Sequence, residues 1–285
     1  MNLDEELSVT LNQRKQENLY RTRRTVSSAC GPETQVDGKA LINFCSNDYL
    51  GLAKHPKITE AFMAAAKQYG VGSGSSHLVS GHSAPHHQLE EALADFTGRD
   101  KAIVFSTGFM ANLGLIQSLC DKRDAVFEDK LNHASLIDAG LNSGATFSRY
   151  LHNDMASLEK KLAKTDARRK LIVSDAVFSM DGDEVPFDAI STIASNHNAS
   201  LMLDDAHGFG VLNNGLGYAH YDQQQLPIYM ATLGKAVGVF GAFVAGSDAL
   251  IETLVQYARS YIYTTALPPA VAAANLQSLQ LLQSE

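Results

Sequence analysis

The chain has 285 residues, enough for one large α/β domain or two modest ones, and 45% hydrophobic against 19% charged residues is an ordinary globular balance. A net charge of −8, from 23 basic and 31 acidic side chains, excludes bulk attraction to phosphate backbones or anionic lipid. No apolar run is long enough for a bilayer, the first residues (MNLDEELSVT) lack the apolar core of a secretory signal, and Cys30, Cys45 and Cys120 are too few and too scattered for a disulfide frame, so a cytoplasmic protein is expected.

Taken in chain order, residues 3–24 predict a charged helix ending in the basic cluster Arg21, Arg23 and Arg24. Residues 39–44 (KALINF) predict a strand, and 56–69 a helix opened by Pro56. The glycine-rich run Gly70–Gly81 (GVGSGSSHLVSG) reads as flexible. Beyond it, elements alternate: helix 85–96, strand 101–105, helix 108–119, strand 125–128, helix 134–142, strand 145–150. A helix capped by Asn153 or Asp154 runs to about Lys164, followed by strand 171–174, helix 187–196 and strand 199–203. Two further apolar runs, 226–232 and 239–246, flank Lys235, and a helix follows Pro268-Pro269 over 270–282. Alternating short strands and amphipathic helices predict a mostly parallel central sheet with helices on both faces. The expected organisation is an N-terminal helix and strand segment (1–45), a large ligand-binding domain (46–265), and the start of a connector helix (266–285) leading to something beyond the chain.

In such sheets, ligands bind beyond the carboxyl ends of the strands. Four groups stand at those ends. Ser106-Thr107-Gly108-Phe109 opens a helix whose N–H groups suit a phosphate, with glycine allowing close approach. Asp204-Asp205 follows an apolar strand, where a carboxylate is costly to bury without a cationic or donor partner. Lys235 lies between Gly234 and Gly238 beside apolar runs. Burial there lowers an ammonium pKa and makes a Schiff-base nucleophile, and the glycines suggest crowding against a ligand. His133 could cap a helix or stack on an aromatic ring. Three competing motifs fail. Gly234-Lys235-Ala236 lacks the Ser or Thr of a P-loop, and Gly70–Gly81 lacks the dinucleotide spacing. His82, His86 and His87 are read as solvated or capping, so no metal site is expected. A phosphate cradle, a buried acid, a stacking histidine and a Schiff-base lysine together describe a pyridoxal phosphate pocket.

Several segments carry a family resemblance: Ser46–Leu52 (SNDYLGL), 106–109, Leu131–Leu136 (LNHASL), His152–Asp154, Phe178–Asp183 (FSMDGD), 204–208, 232–235 and Ile262–Pro269 (IYTTALPP). Together they resemble the α-oxoamine synthases, the acyl-transferring branch of the fold-type-I pyridoxal phosphate transferases. The resemblance implies that Lys235 carries the cofactor as an imine and that Asp204, rather than Asp205, pairs with its ring nitrogen. His133 stacks on the ring, His207 and Ser179 contact its oxygen side, and Gly108, Phe109 and Thr232 hold the phosphate. Lys235, His133 and Asp204 form the catalytic set; Arg21, Asn47 and His133 meet substrate. The family's site lies between two subunits, with Thr264 reaching the partner's pocket, so a homodimer is implied. The HND and SNDYLGL segments lean toward the branch that joins L-alanine to a pimeloyl thioester, on coenzyme A or an acyl carrier protein. The alternatives are a sister synthase using glycine, such as 2-amino-3-ketobutyrate ligase or 5-aminolevulinate synthase, and a non-catalytic cofactor-binding fragment. At Ser174-Asp175-Ala176 the chain departs from the family's usual glutamate and glycine.

Overall fold

The computed structural model describes residues 2–284. The chain divides into two compact units, 1–46 and 47–285.

In the first unit, helix α1 (Leu3–Gln16) starts at a reciprocal cap. Glu5 N–H donates to the Asn2 side chain and Asn2 N–H donates to the Glu5 carboxylate, each at 3.0 Å. The helix stops eight residues short of the expected Arg24, because Asn18 turns left-handed at φ 56° and breaks the backbone ladder. Strands β1 (Glu33–Val36) and β2 (Lys39–Ile42) pair antiparallel around Asp37-Gly38, both at positive φ, as a two-residue hairpin requires. The sequence reading has only the second strand, drawn two residues too long. Arg24 pairs with Asp37 at 2.8 Å and ties the segment before β1 to this turn.

The second unit opens with α2 (Pro56–Tyr69). Gly70–Gly81 is not a loose tether. Ser73 Oγ donates to the Leu267 carbonyl at 2.7 Å, Ala266 N–H donates to the Ser75 carbonyl at 3.0 Å, and His77–Gly81 forms a π-helical turn. Helix α3 (Ala84–Thr97), β3 (Lys101–Phe105), α4 (Gly108–Leu119), β4 (Ala125–Asp129), α5 (Ala134–Asn142), β5 (Thr146–Tyr150) and α6 (Met155–Leu162) follow. Next come β6 (Lys170–Asp175), α7 (Phe187–Asn196), β7 (Ser200–Asp204), β8 (Ile228–Thr232) and β9 (Ala242–Gly246). The sequence reading leaves α8 (Asp248–Tyr257) and α9 (Arg259–Ile262) unassigned; α10 (Pro269–Ser284) completes the described chain.

Seven strands form one sheet in the order β3-β9-β8-β7-β6-β4-β5, parallel throughout except for β9. Both faces are covered, so the strands read as continuous apolar runs rather than alternating ones. Alternate side chains enter opposite cores: Phe127, Ile172 and Leu201 join α3, α6 and α7, while Val126, Leu171 and Met202 join α4, α5 and α8. This is the expected α/β architecture. It brings the carboxyl ends of β3, β4, β6, β7 and β8 to one edge. Among the described residues no helix is long and apolar enough to cross a membrane.

Candidate active site

Four elements meet at that edge. Lys235 sits on the nine-residue loop joining β8 to β9. The loop is tightly folded: Leu233 N–H donates to Gly241 O at 2.8 Å, Val239 N–H to Leu233 O at 3.0 Å and Gly238 N–H to Lys235 O at 2.9 Å. Of the flanking glycines, Gly238 is required by the loop itself. Gly238 has φ +75° and lies so close to the chain at Leu52 and Ala53 that a Cβ would stand 2.7 Å from the Leu52 carbonyl carbon. Around Gly234 the space is open, the nearest atom to a built Cβ being 4.0 Å away.

Lys235 Nζ lies 2.9 Å from His207 Nε2, and His207 Nδ1 lies 2.6 Å from the Tyr49 hydroxyl. A donating lysine makes Nε2 the acceptor, so Nδ1–H donates to Tyr49, whose hydroxyl donates to Asn47 Oδ1 at 3.3 Å. Burial lowers the Lys235 pKa, against the opposing pull of Asp204 and Asp175. Burial, then the Lys235 charge, brings His207 down to about 4, so its ring is neutral.

Asp204 ends β7 and is 4% exposed. Its Oδ2 accepts from Asn112 Nδ2 at 2.7 Å and its Oδ1 from Ala206 N–H at 3.0 Å. Asn112 also donates to Ser135 Oγ at 2.9 Å, which links Asp204 to the start of α5. There His133 caps the helix, its Nδ1 receiving Ser135 N–H at 3.2 Å, while its own N–H donates to Asp175 Oδ2 at 2.7 Å. Asp175 ends β6 directly beside Asp204 in register. Burial, then the neighbouring Asp204 charge, raises its pKa. Asp205 faces the opposite way. Its Oδ2 takes Tyr218 N–H at 2.6 Å and Tyr229 O–H at 2.8 Å inside the core, so it is a structural acid.

Helix α4 starts at Thr107, whose side chain accepts Met110 N–H at 3.2 Å. The N–H groups of Gly108 and Phe109 stand ahead of any helical acceptor and are free for an anion. A Cβ on Gly108 would lie 3.0 Å from Thr232 Cγ2, so glycine lets this helix start close on the end of β8 without displacing that side chain.

Of the residues singled out from sequence, Gly108, Phe109, His133, Ser179, Asp204, His207, Thr232 and Lys235 line a single cavity of about 220 Å³. Asn47 is outside its wall and joins through Tyr49; Arg21 is exposed in the first unit. Sequence reasoning missed Asn112 and Tyr49, and it treated Asp175 only as a departure. The signal for Asn112 was there: a fully buried amide in the apolar helix GFMANLGLIQSL demands a polar partner. Tyr49 lies within the SNDYLGL segment, but nothing local pointed to its partner His207, 158 positions away.

A buried amine whose pKa burial lowers, a donor-fixed acid and a helix start opened by glycine fit an aldehyde cofactor with a basic ring nitrogen and a phosphate, and with the sheet order they define a fold-type-I pyridoxal phosphate enzyme. Residues 39–284 match the family described as aminotransferase class I and II. The chain is 57% identical over 287 residues to 8-amino-7-oxononanoate synthase of Cellvibrio japonicus (strain Ueda107), covering 99% of this chain and 72% of that one. It is 59% identical over 291 residues to the 8-amino-7-oxononanoate synthase of Saccharophagus degradans (strain 2-40), covering 100% and 73%. Among solved structures, a serine palmitoyltransferase with its PLP internal aldimine superposes with a TM-score of 0.91 at 32% identity, over 99% of this chain and 73% of that one. The chain belongs to the 8-amino-7-oxononanoate synthase family, pyridoxal phosphate-dependent acyl-transferring enzymes of biotin biosynthesis.

Proposed function

We propose that this chain condenses L-alanine with a pimeloyl thioester, on coenzyme A or an acyl carrier protein, releasing CO2 and free thiol and giving 8-amino-7-oxononanoate. We place the reaction in the cytoplasm and its site between two copies of the chain. The observation that supports this reading best is the convergence of Lys235, Asp204 and the α4 start on one cavity.

The bound cofactor supplies an electrophilic aldehyde and a ring that takes up electrons. The chain's residues supply the rest. Lys235, whose pKa burial lowers, offers a lone pair to a carbonyl and, when free, takes and returns a proton at Nζ. Asp204, fixed by Asn112 and Ala206, holds a proton on a ring nitrogen placed before it. Gly108 and Phe109 N–H and the Thr232 hydroxyl hold phosphate oxygens. His133, fixed to Ser135 and Asp175, forms a wall against which a flat ring stacks. Neutral His207 accepts from Lys235 and passes a hydrogen bond to Tyr49, which orients the amine. Arg21 and Asn47 are assigned to the acyl substrate.

The test is thiol release from pimeloyl-CoA with L-alanine, glycine or L-serine in parallel. Thiol with alanine is expected; thiol with glycine and none with alanine would replace this reading by a sister synthase. Lys235→Ala should lose turnover by about a thousandfold or more, the scale of a missing proton-transfer group. Full activity in that variant removes the lysine from the chemistry.

A further inference from the structure

A second polar cluster lies where the turn His77–Gly81 feeds α3, and it shares no residue with the lysine cavity. His86 in it is committed to the fold: its Nδ1 accepts Ser83 N–H at 3.0 Å and its Nε2–H donates to Leu267 O at 2.6 Å. That is the capping role read from sequence. His82 and His87 are exposed, as the solvated reading has it. One ring nitrogen from each and one carboxylate oxygen of Glu90 all lie within 4.8 Å of one another. His82 Nε2 stands 3.9 Å from Glu90 Oε2, too far for a hydrogen bond. Two ligands on a tetrahedral zinc ion, each about 2 Å away, stand roughly 3.4 Å apart, so small rotations of these side chains close the set.

The groups behind these three are arranged to aim them. His82 Nδ1 lies 3.0 Å from His77 Nδ1, and His77 is held flat on Tyr261 at a ring distance of 4.7 Å. With Nδ1–H donated to His77, the His82 lone pair is on Nε2, facing Glu90. An outer hydrogen bond of this kind fixes the tautomer of a metal-binding imidazole. Glu90 is held from behind, because its Oε1 accepts Val104 N–H at 3.0 Å and Oε2 is left for a cation. Glu91 Oε1 lies 3.3 Å from His87 Nε2, both side chains exposed.

We propose that His82, His87 and Glu90 bind a divalent late first-row transition ion, with zinc as the reference case. Two imidazoles and one carboxylate suit Zn2+, Co2+ or Ni2+, whereas Mg2+ and Ca2+ take oxygen shells. The ion pins the end of the Ser73–Gly81 segment to α3 and, through Glu90, to β3. Lys235 and Asp204 take no part, so the failure of this site leaves the proposed reaction untouched.

The tag-free chain, stripped with chelator, is titrated with ZnCl2 by calorimetry, and with CoCl2 by visible absorbance. One saturable equivalent is expected, with the intense bands of four-coordinate cobalt. His87→Gln changes an exposed ring, and Glu90→Gln keeps the bond from Val104; each should bind zinc about tenfold more weakly or worse, with the metal-free melting point kept. His77→Phe keeps a ring on Tyr261 but removes the partner of His82, and about a 10–100-fold loss is expected. No saturable equivalent in the unaltered chain, or a loss below about tenfold in both His87→Gln and Glu90→Gln, overturns the site.

Discussion

Asp204 and Asp205 are neighbours in sequence with opposite uses. Successive residues leaving a strand point to opposite sides. One carboxylate therefore meets Asn112 and the cavity, and the other meets Tyr218 and Tyr229 in the core. Asn112→Ala removes a buried donor to a carboxylate, and a loss of about 1–3 kcal/mol is expected in urea unfolding. Asp205→Ala leaves the buried Tyr218 N–H without its acceptor and the Tyr229 hydroxyl with only the longer bond to the Leu216 carbonyl at 3.4 Å, and should cost at least as much, while leaving the cavity wall in place. Glu128 gives a pH test. It is fully buried on β4, and burial pushes its carboxyl from 4.5 up to about 8. Between those values the folded chain holds a proton that the unfolded chain has released, so stability falls as pH rises, by at most about 1.4 kcal/mol per unit from this group. Glu90, Asp175 and Asp205 are raised by burial in the same window, so Glu128→Gln should lessen the fall by one group's share; equal slopes for the two proteins between pH 5 and pH 8 would show that Glu128 does not contribute. At this scale the sequence showed residue types but not their partners. Lys235 and the acidic pair stood out because burying a charge is costly, whereas the choice between the two acids came from the family resemblance.

Among elements, the β8–β9 loop decides where the amine goes. Gly238→Ala places a Cβ against the backbone of Leu52 at a left-handed φ, and such strain costs on the order of 1–3 kcal/mol. The loop must shift, so cofactor affinity, read by titration with pyridoxal phosphate, should fall together with the melting point. Gly234→Ala meets open space and should leave both nearly unchanged. The buried strands and most of their helices were legible because packing of both sheet faces produces apolar runs of the right length, although α8, which buries Leu250, Ile251 and Leu254 against the sheet, was missed. What was misread is mostly exposed. β1 has the polar sequence ETQV, and its only cue was the Asp-Gly turn beside it. α1 buries no residue, so nothing periodic marked its end. The Ser73–Gly81 segment looked flexible by composition, but its hydrogen bonds go to residues near 266, beyond the reach of any local pattern.

For the molecule as a whole, two measurements follow. Pyridoxal phosphate at a hundred times its dissociation constant should add about 2.7 kcal/mol of stability, and Lys235→Ala should lose most of that gain. Sedimentation should give twice the chain mass if the site is shared between copies; a fully active monomer would reject that arrangement. The sheet order carries one more consequence. Strands that run the same way need a long return path, but β8 and β9 run in opposite directions and are joined by nine residues. The reactive nitrogen is thus mounted on a short, internally bonded bracket fastened at both ends to inner strands of the sheet. In a reaction that must let go of its tether and catch it again on every cycle, the four carbons of that side chain supply the swing, and the substrates have to come to it.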